Sequence, residues 1–141
     1  MRRRFAREVT PPTVDPSRVN IYKSHCVGAG GFGGVFLGHC QGMDIPGGIV
    51  IKVLHEAKVR GKEEETLMRE ARIMTLASRP SHPCVAGLLG IVAKPGGMSA
   101  NRVPLAYAML LQYCPGGGLD RVLQPKGFFK TTDADGEVFI I

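Results

Sequence analysis

Glycine occupies nine of the 21 positions from Gly28 to Gly48, and Pro46 takes one more. An α-helix there is excluded, since an interior glycine costs about 1 kcal/mol and a proline about 3. Within the stretch, VGAGGFGG places Gly28, Gly30 and Gly33 in the pattern G-x-G-x-x-G. Backbone without Cβ atoms can bring its N–H groups close to phosphate. Two unrelated architectures use such a loop. In the dinucleotide-binding βαβ unit a helix must start at the third glycine, with the pyrophosphate at its N-terminus. Here GVFLGHCQGMDIPGG follows, and Val35, Phe36 and Leu37 favour a strand. The glycines must therefore form a turn between two antiparallel strands, and the dinucleotide alternative becomes remote.

The rest of the chain divides around that hairpin. Residues 1–19 are basic and proline-containing and predict a disordered tail. Apolar runs predict strands at Ile21–Val27, Val35–Cys40 and Ile49–Leu54. From about Lys62 to Ser78, Leu67, Ala71, Met74 and Ala77 recur at helical spacing, with Glu63, Glu64 and Glu65 in the first turn, where acids suit the helix dipole. Pro80 and Pro83 end that helix. Strands are predicted again at Gly87–Ala93 and Leu105–Tyr113, then a break at PGGG and a short helical piece at Leu119–Leu123. Residues 125–141 read as a hairpin turning at Asp133–Gly136. The order β-β-β-α-β-β predicts an α+β domain, an antiparallel sheet with one helix.

Charge and cysteine usage narrow the function classes. The net charge of +6 is mostly Arg2, Arg3, Arg4 and Arg7; the remaining chain has 14 basic against 12 acidic side chains. Nucleic acid is therefore not an expected partner. No apolar run approaches the ~20 residues of a membrane span, and the arginine-rich start lacks the apolar segment of a secretory signal. Cys26, Cys40, Cys84 and Cys114 show no metal-ligand spacing. If the hairpin turns near Gly31, Val27 pairs with Val35 and Cys26 with Phe36. Cys40 then lies about 13 Å further along, too far for a disulfide. Reduced thiols and a cytoplasmic location are expected.

A strand–glycine–strand flap with valine just beyond the glycines resembles the glycine-rich loop of protein kinases, G-x-G-x-x-G-x-V, here Gly28, Gly30, Gly33 and Val35. Further segments match that family in order. IVIK resembles the lysine strand and ends at Lys52. REARIM resembles the helix called αC in the family, with Glu70 in its glutamate position. SHPCVAGLLGIV resembles the segment entering the fourth strand. PLAYAMLLQYCPGGGL resembles the fifth strand, with Leu111 as gatekeeper and Gln112–Cys114 as hinge. The resemblance covers residues 20–124 and implies a kinase small lobe, a five-stranded antiparallel sheet with one αC-type helix, truncated before the large lobe.

The resemblance also implies what each matched residue does. ATP is the expected ligand. Gly28, Ala29, Gly30, Gly31 and Gly33 would close over its phosphates, with Phe32 shielding them from water. Val27 and Val35 would cover the adenine. Lys52 would hold the α- and β-phosphates, oriented by an ion pair with Glu70. The Gln112 carbonyl and the Cys114 N–H would bond the adenine edge. Val50 stands where the family carries alanine, and its two extra methyls narrow the adenine pocket.

Phosphoryl transfer further needs an aspartate for the acceptor hydroxyl and an asparagine and aspartate for Mg²⁺. The family holds these in His-Arg-Asp-x-x-x-x-Asn and Asp-Phe-Gly, and neither motif occurs in the 141 residues. The expectation is an ATP-binding portion of a protein kinase, not catalytic alone. Mg²⁺ and a protein substrate would enter only with the large lobe of a longer parent. The alternative is a non-catalytic, kinase-like interaction module whose protein partner covers the surface that would face a large lobe.

Overall fold

The computed structural model describes residues 10–31, 33–54, 63–78, 84–116, 130–132 and 138–140. Expectations for residues 1–9, Phe32, Pro80, Pro83, the piece 119–123 and the turn 133–136 lie outside the described residues. Five strands, β1 (Val19–Gly30), β2 (Gly33–Cys40), β3 (Ile49–Leu54), β4 (Leu88–Ala93) and β5 (Tyr107–Gln112), form one antiparallel sheet in the order β1-β2-β3-β5-β4. Among the described residues one α-helix, α1 (Glu63–Ala77), lies between β3 and β4 in the chain. Strands β6 (Lys130–Thr132) and β7 (Val138–Ile140) pair as a separate antiparallel hairpin.

Alternation along the strands gives the sheet two different faces. On one face Ile51 lies opposite Phe36 and Leu110, and Val53 opposite Gly34 and Ala108. This side forms the larger core, joining Val19, Ile21, Cys40, Ile49, Ile51, Val92, Leu105, Ala108 and Leu110. On the other face Val35, Lys52, Met109 and Ile91 lie in one transverse row across β2, β3, β5 and β4. Leu37, Val50, Leu111 and Leu88 form the next row. Helix α1 covers only the β4–β5 half of this face, where Leu67 and Ala71 pack with Ile91 and Met109. Met74 is half-buried there as expected, but Ala77 is exposed and Thr75 is buried instead. Thr75 lies four residues after Ala71 on the same side of the helix, and its hydroxyl donates to the Ala71 carbonyl at 2.7 Å.

The hairpin register departs from the simple alignment. Cys26 pairs with Phe36 as expected, but Val35 pairs with Gly28 rather than Val27. Val27 is the extra residue of a bulge, which locally breaks the alternation. None of the four cysteines is in a disulfide. Burial raises the Cys40 thiol above its ordinary pKa, against a smaller opposing pull from Arg18.

The segment expected as a tail is packed from Pro11 onward. Pro11, Val14 and Pro16 are buried, and Thr13 forms a parallel bridge with Ile91 on the outer edge of β4. A 3-10 turn, Pro16–Arg18, then leads into β1. The opposite edge of the sheet is covered too. The Asn101 side chain accepts from the Ile21 N–H at 3.1 Å and donates to the Ile21 carbonyl at 2.7 Å, as a neighbouring strand would. Ser99 Oγ donates to the same Asn101 oxygen at 2.9 Å. The next residue, Arg102, takes φ +64°, a left-handed conformation uncommon outside glycine, asparagine and aspartate. Asn101→Ala strips both partners from a buried residue and is expected to cost about 2 kcal/mol. Chemical denaturation checks this, and a midpoint equal to wild type would refute it.

Asp15 accepts from the Ser17 hydroxyl at 2.7 Å and the Ser17 N–H at 2.9 Å. Those bonds, foremost the hydroxyl's, hold its carboxyl below the ordinary value of 3.8, and Lys94 and Arg18 add to them. A depressed folded-state pKa stabilises the fold above the unfolded-state value and loses that contribution as pH falls through the folded one. Wild type is therefore expected to lose more stability than Asp15→Asn as pH drops below about 4. Denaturation midpoints compared at pH 5 and below about 3 read the difference; parallel curves would remove Asp15 from the acid response.

Candidate functional site

The glycine hairpin closes tightly. Gly30 pairs with Gly33 and Ala29 with Gly34, leaving Gly31 and Phe32 as the two-residue connection. Gly33 has φ +142°, so a side chain there would be strained. The other loop glycines answer to a different constraint. A Cβ on Gly31 would meet nothing within 4 Å, and one on Gly28 only Val35 at ordinary contact distance. Nothing in the protein forbids side chains at those two positions. What glycine leaves there is open room beside the backbone.

Below the hairpin, β3 carries Lys52 on the half of the sheet face that α1 leaves uncovered. Lys52 lies between Val35 on β2 and Met109 on β5. Glu70 reaches it from α1, with Nζ and Oε1 3.1 Å apart. The two side chains retain 22% and 45% exposure, and ion pairs that exposed contribute only about 0–1 kcal/mol. Fold stability is therefore a weak reason for the pair. Helix α1 places Glu70 there because Leu67 and Ala71, on either side of it, anchor the helix to the sheet.

Beside Lys52, Val50 is 7% exposed and lies opposite both Leu37 and Leu111, so the three form a continuous apolar wall. Leu37 was not singled out from the sequence, although its alternation with Val35 on a strand marks it for the same face. Past Leu111 the chain is fixed from both sides. The Gln112 N–H donates to the Gly87 carbonyl at 3.1 Å and the Tyr113 N–H to the Gly48 carbonyl at 3.1 Å. The side chains of Gln112 and Cys114 are exposed. Val27 is 43% exposed and lies in the bulge at the rim. Phe32 lies outside the described residues.

The fold thus brings Gly28, Gly33, Val35, Val50, Lys52, Glu70 and Leu111 around one face. A separate concavity of about 360 Å³ lies at the β2–β3 connection, lined by Gly38, Cys40, Met43 and Ile45 among others, away from Lys52. Among the described residues no three His, Cys, Asp or Glu side chains converge to hold a metal ion. No helix among them is long and apolar enough to cross a membrane.

A five-stranded antiparallel sheet whose one helix carries a glutamate to a strand lysine, beneath a glycine hairpin, defines the small lobe of a protein kinase. The chain matches the family model described as protein tyrosine and serine/threonine kinase over residues 21–135, and it belongs to that family. No curated protein matches it.

Proposed function

We propose that this domain clamps ATP between the glycine hairpin and the uncovered sheet face, as the nucleotide-binding part of a protein kinase. The observation that carries it is the 3.1 Å Lys52–Glu70 pair held on an otherwise apolar face under a backbone loop with open room. A lysine held in place by a glutamate among apolar side chains is suited to meet an anion on that face. The residues fit the ligand. Gly28, Ala29, Gly30, Gly31 and Gly33 present backbone to the phosphates, and Phe32 would shield them from water. Lys52 supplies the positive charge and Glu70 orients it. Val27, Val35, Val50 and Leu111 form apolar surface for the adenine, and the backbone of Gln112 and Cys114 its polar edge. ATP supplies the γ-phosphoryl group that a kinase transfers to a protein hydroxyl.

Among the described residues no three acidic, imidazole or thiol side chains converge, and the carboxylates that would hold Mg²⁺ beside the phosphates would come from a large lobe. With neither a His-Arg-Asp nor an Asp-Phe-Gly motif in the sequence, the groups that position an acceptor and a metal are missing from these 141 residues. The chain alone is expected to bind ATP without transferring phosphate. Isothermal titration with ATP and with NAD⁺, together with a phosphotransfer assay on a generic protein substrate, tests this. Binding of ATP but not NAD⁺, with no turnover, is expected. Tighter binding of NAD⁺ than of ATP, or turnover abolished by Lys52→Ala, would overturn it. A domain that binds neither nucleotide would point instead to the kinase-like interaction module.

A further inference from the structure

The family match begins at residue 21, yet the packed structure begins about ten residues earlier. Residues 11–18 form a strap whose 12–14 segment runs along the outer edge of β4. The Val14 N–H donates to the Ile91 carbonyl at 2.8 Å, and the Ile91 N–H donates to the Pro12 carbonyl at 2.8 Å. A glycine in β4 makes room for it: a Cβ on Gly90 would stand 2.6 Å from Val14 Cγ2. At its far end the Arg18 guanidinium donates to the Gln41 carbonyl at 2.7 Å. The strap is thus seated at both ends and in the middle.

Its central contact is the Ile91 backbone; the Val14 side chain joins the larger core, whereas the Ile91 side chain packs on the helix side of the sheet. Ile91 packs with Leu67 and Ala71 of α1, which flank Glu70. Met109 lies opposite Ile91 on β4 and opposite Lys52 on β3. Strap, β4, helix and lysine strand form a closed ring of contacts, and the Lys52–Glu70 pair is one link of it. The helix rests on β4 and β5, and on its outer edge β4 is held by the strap.

We propose that the strap, through Val14 seated on Gly90 and Ile91, positions Glu70 against Lys52, so that residues outside the family match control the nucleotide-binding pair. Val14 is a positioning residue and does not touch the ligand. The effect on nucleotide affinity rests on the function proposed above; the effect on the ion pair does not.

A zero-length carbodiimide cross-link between Glu70 and Lys52, mapped by mass spectrometry, reads the pair without any nucleotide. It is measured on the full chain under conditions where circular dichroism shows each variant folded. Val14→Asp is expected to lower the yield at least about fivefold, whereas Val14→Ile keeps it. Gly90→Ala should lower it by pushing Val14 off, and adding Val14→Ala should restore it. Val103→Ala, which removes packing from the same core that Val14 joins but leaves the strap's own residues intact, should leave the yield unchanged. Should Val14→Asp not fold, the Gly90→Ala and Gly90→Ala/Val14→Ala comparison decides. Equal yields in folded wild type and strap variants, or an equal drop in Val103→Ala, would overturn the proposal.

The affinity arm is a double-mutant cycle. Gly90→Ala should weaken ATP in the wild-type background and leave it unchanged in Glu70→Gln. Equal weakening in both backgrounds would reduce the strap to a general structural role. Failure of wild type to bind ATP would sink the nucleotide function, and the cross-link would still decide the strap.

Discussion

Replacing Lys52 with alanine is expected to abolish most of the thermal stabilisation that ATP confers. A ligand at a hundredfold excess over its Kd adds about 2.7 kcal/mol, roughly 10 °C for a domain of this size. A hydrogen bond to a charged group contributes about 1.5–3 kcal/mol, enough to weaken ATP some 10- to 100-fold. At the same ligand concentration the shift should then fall to about 1.5–5 °C. Without ATP the two proteins should melt within a few degrees of each other, because the Lys52–Glu70 pair is half-exposed and worth about 0–1 kcal/mol. That asymmetry separates a binding residue from a structural one. Equal ATP-dependent shifts in the two proteins would remove Lys52 from the site.

Gly38→Ala is expected to show the largest loss of stability. Gly38 pairs with Ile21 on β1 and with Ile49 on β3, and a Cβ there would run into Ile51 Cδ1 and the Asn20 carbonyl oxygen. The isoleucine tip can swing away, but the carbonyl belongs to strand β1 and cannot move without disturbing the β1–β2 ladder. Overpacking of this kind costs about 1–3 kcal/mol, and the backbone contact places Gly38 at the upper end. Adding Ile51→Val should recover only a small part, since it clears the side chain and leaves the carbonyl. Gly31→Ala, with nothing within 4 Å of the new carbon, should stay within about 0.5 kcal/mol of wild type. Denaturation midpoints of the three variants test the contrast. A Gly38→Ala protein as stable as Gly31→Ala would show that the close approach is not maintained.

The two glycines illustrate what the sequence made legible. Both count equally against a helix, and that count placed the hairpin and three of the strands. Helical spacing located α1 to within a residue at each end, and the ordered match to kinase segments marked Lys52 and Glu70, which the structure sets 3.1 Å apart. Local pattern carries such information because strand and helix periods are properties of neighbouring residues. Why Gly38 must be glycine depends on strands β1 and β3, and no local pattern holds that.

The same limit explains the strap. Pro11, Pro12, Asp15 and Pro16 read as a tail because prolines and short polar residues lack strand or helix periodicity. Pro12 and Asp15 stay exposed, while the burial of Val14 between them depends on Gly90, far along the chain, whose missing side chain leaves the slot. Asn101 likewise sits in a turn-like run, and its two bonds to Ile21 span 80 residues. The bulge at Val27 slipped the register by one because alternation cannot reveal an unpaired residue.

The two faces of the sheet separate two kinds of evolutionary pressure. Along β2 and β3, alternate residues either lock into the larger core or look onto the uncovered half where Val35, Leu37 and Lys52 stand. A change at Val35 alters what that surface prefers to touch while the packing behind it stays intact. Successive residues on one strand can thus drift independently, so the uncovered surface can change what it prefers to touch while the domain remains folded.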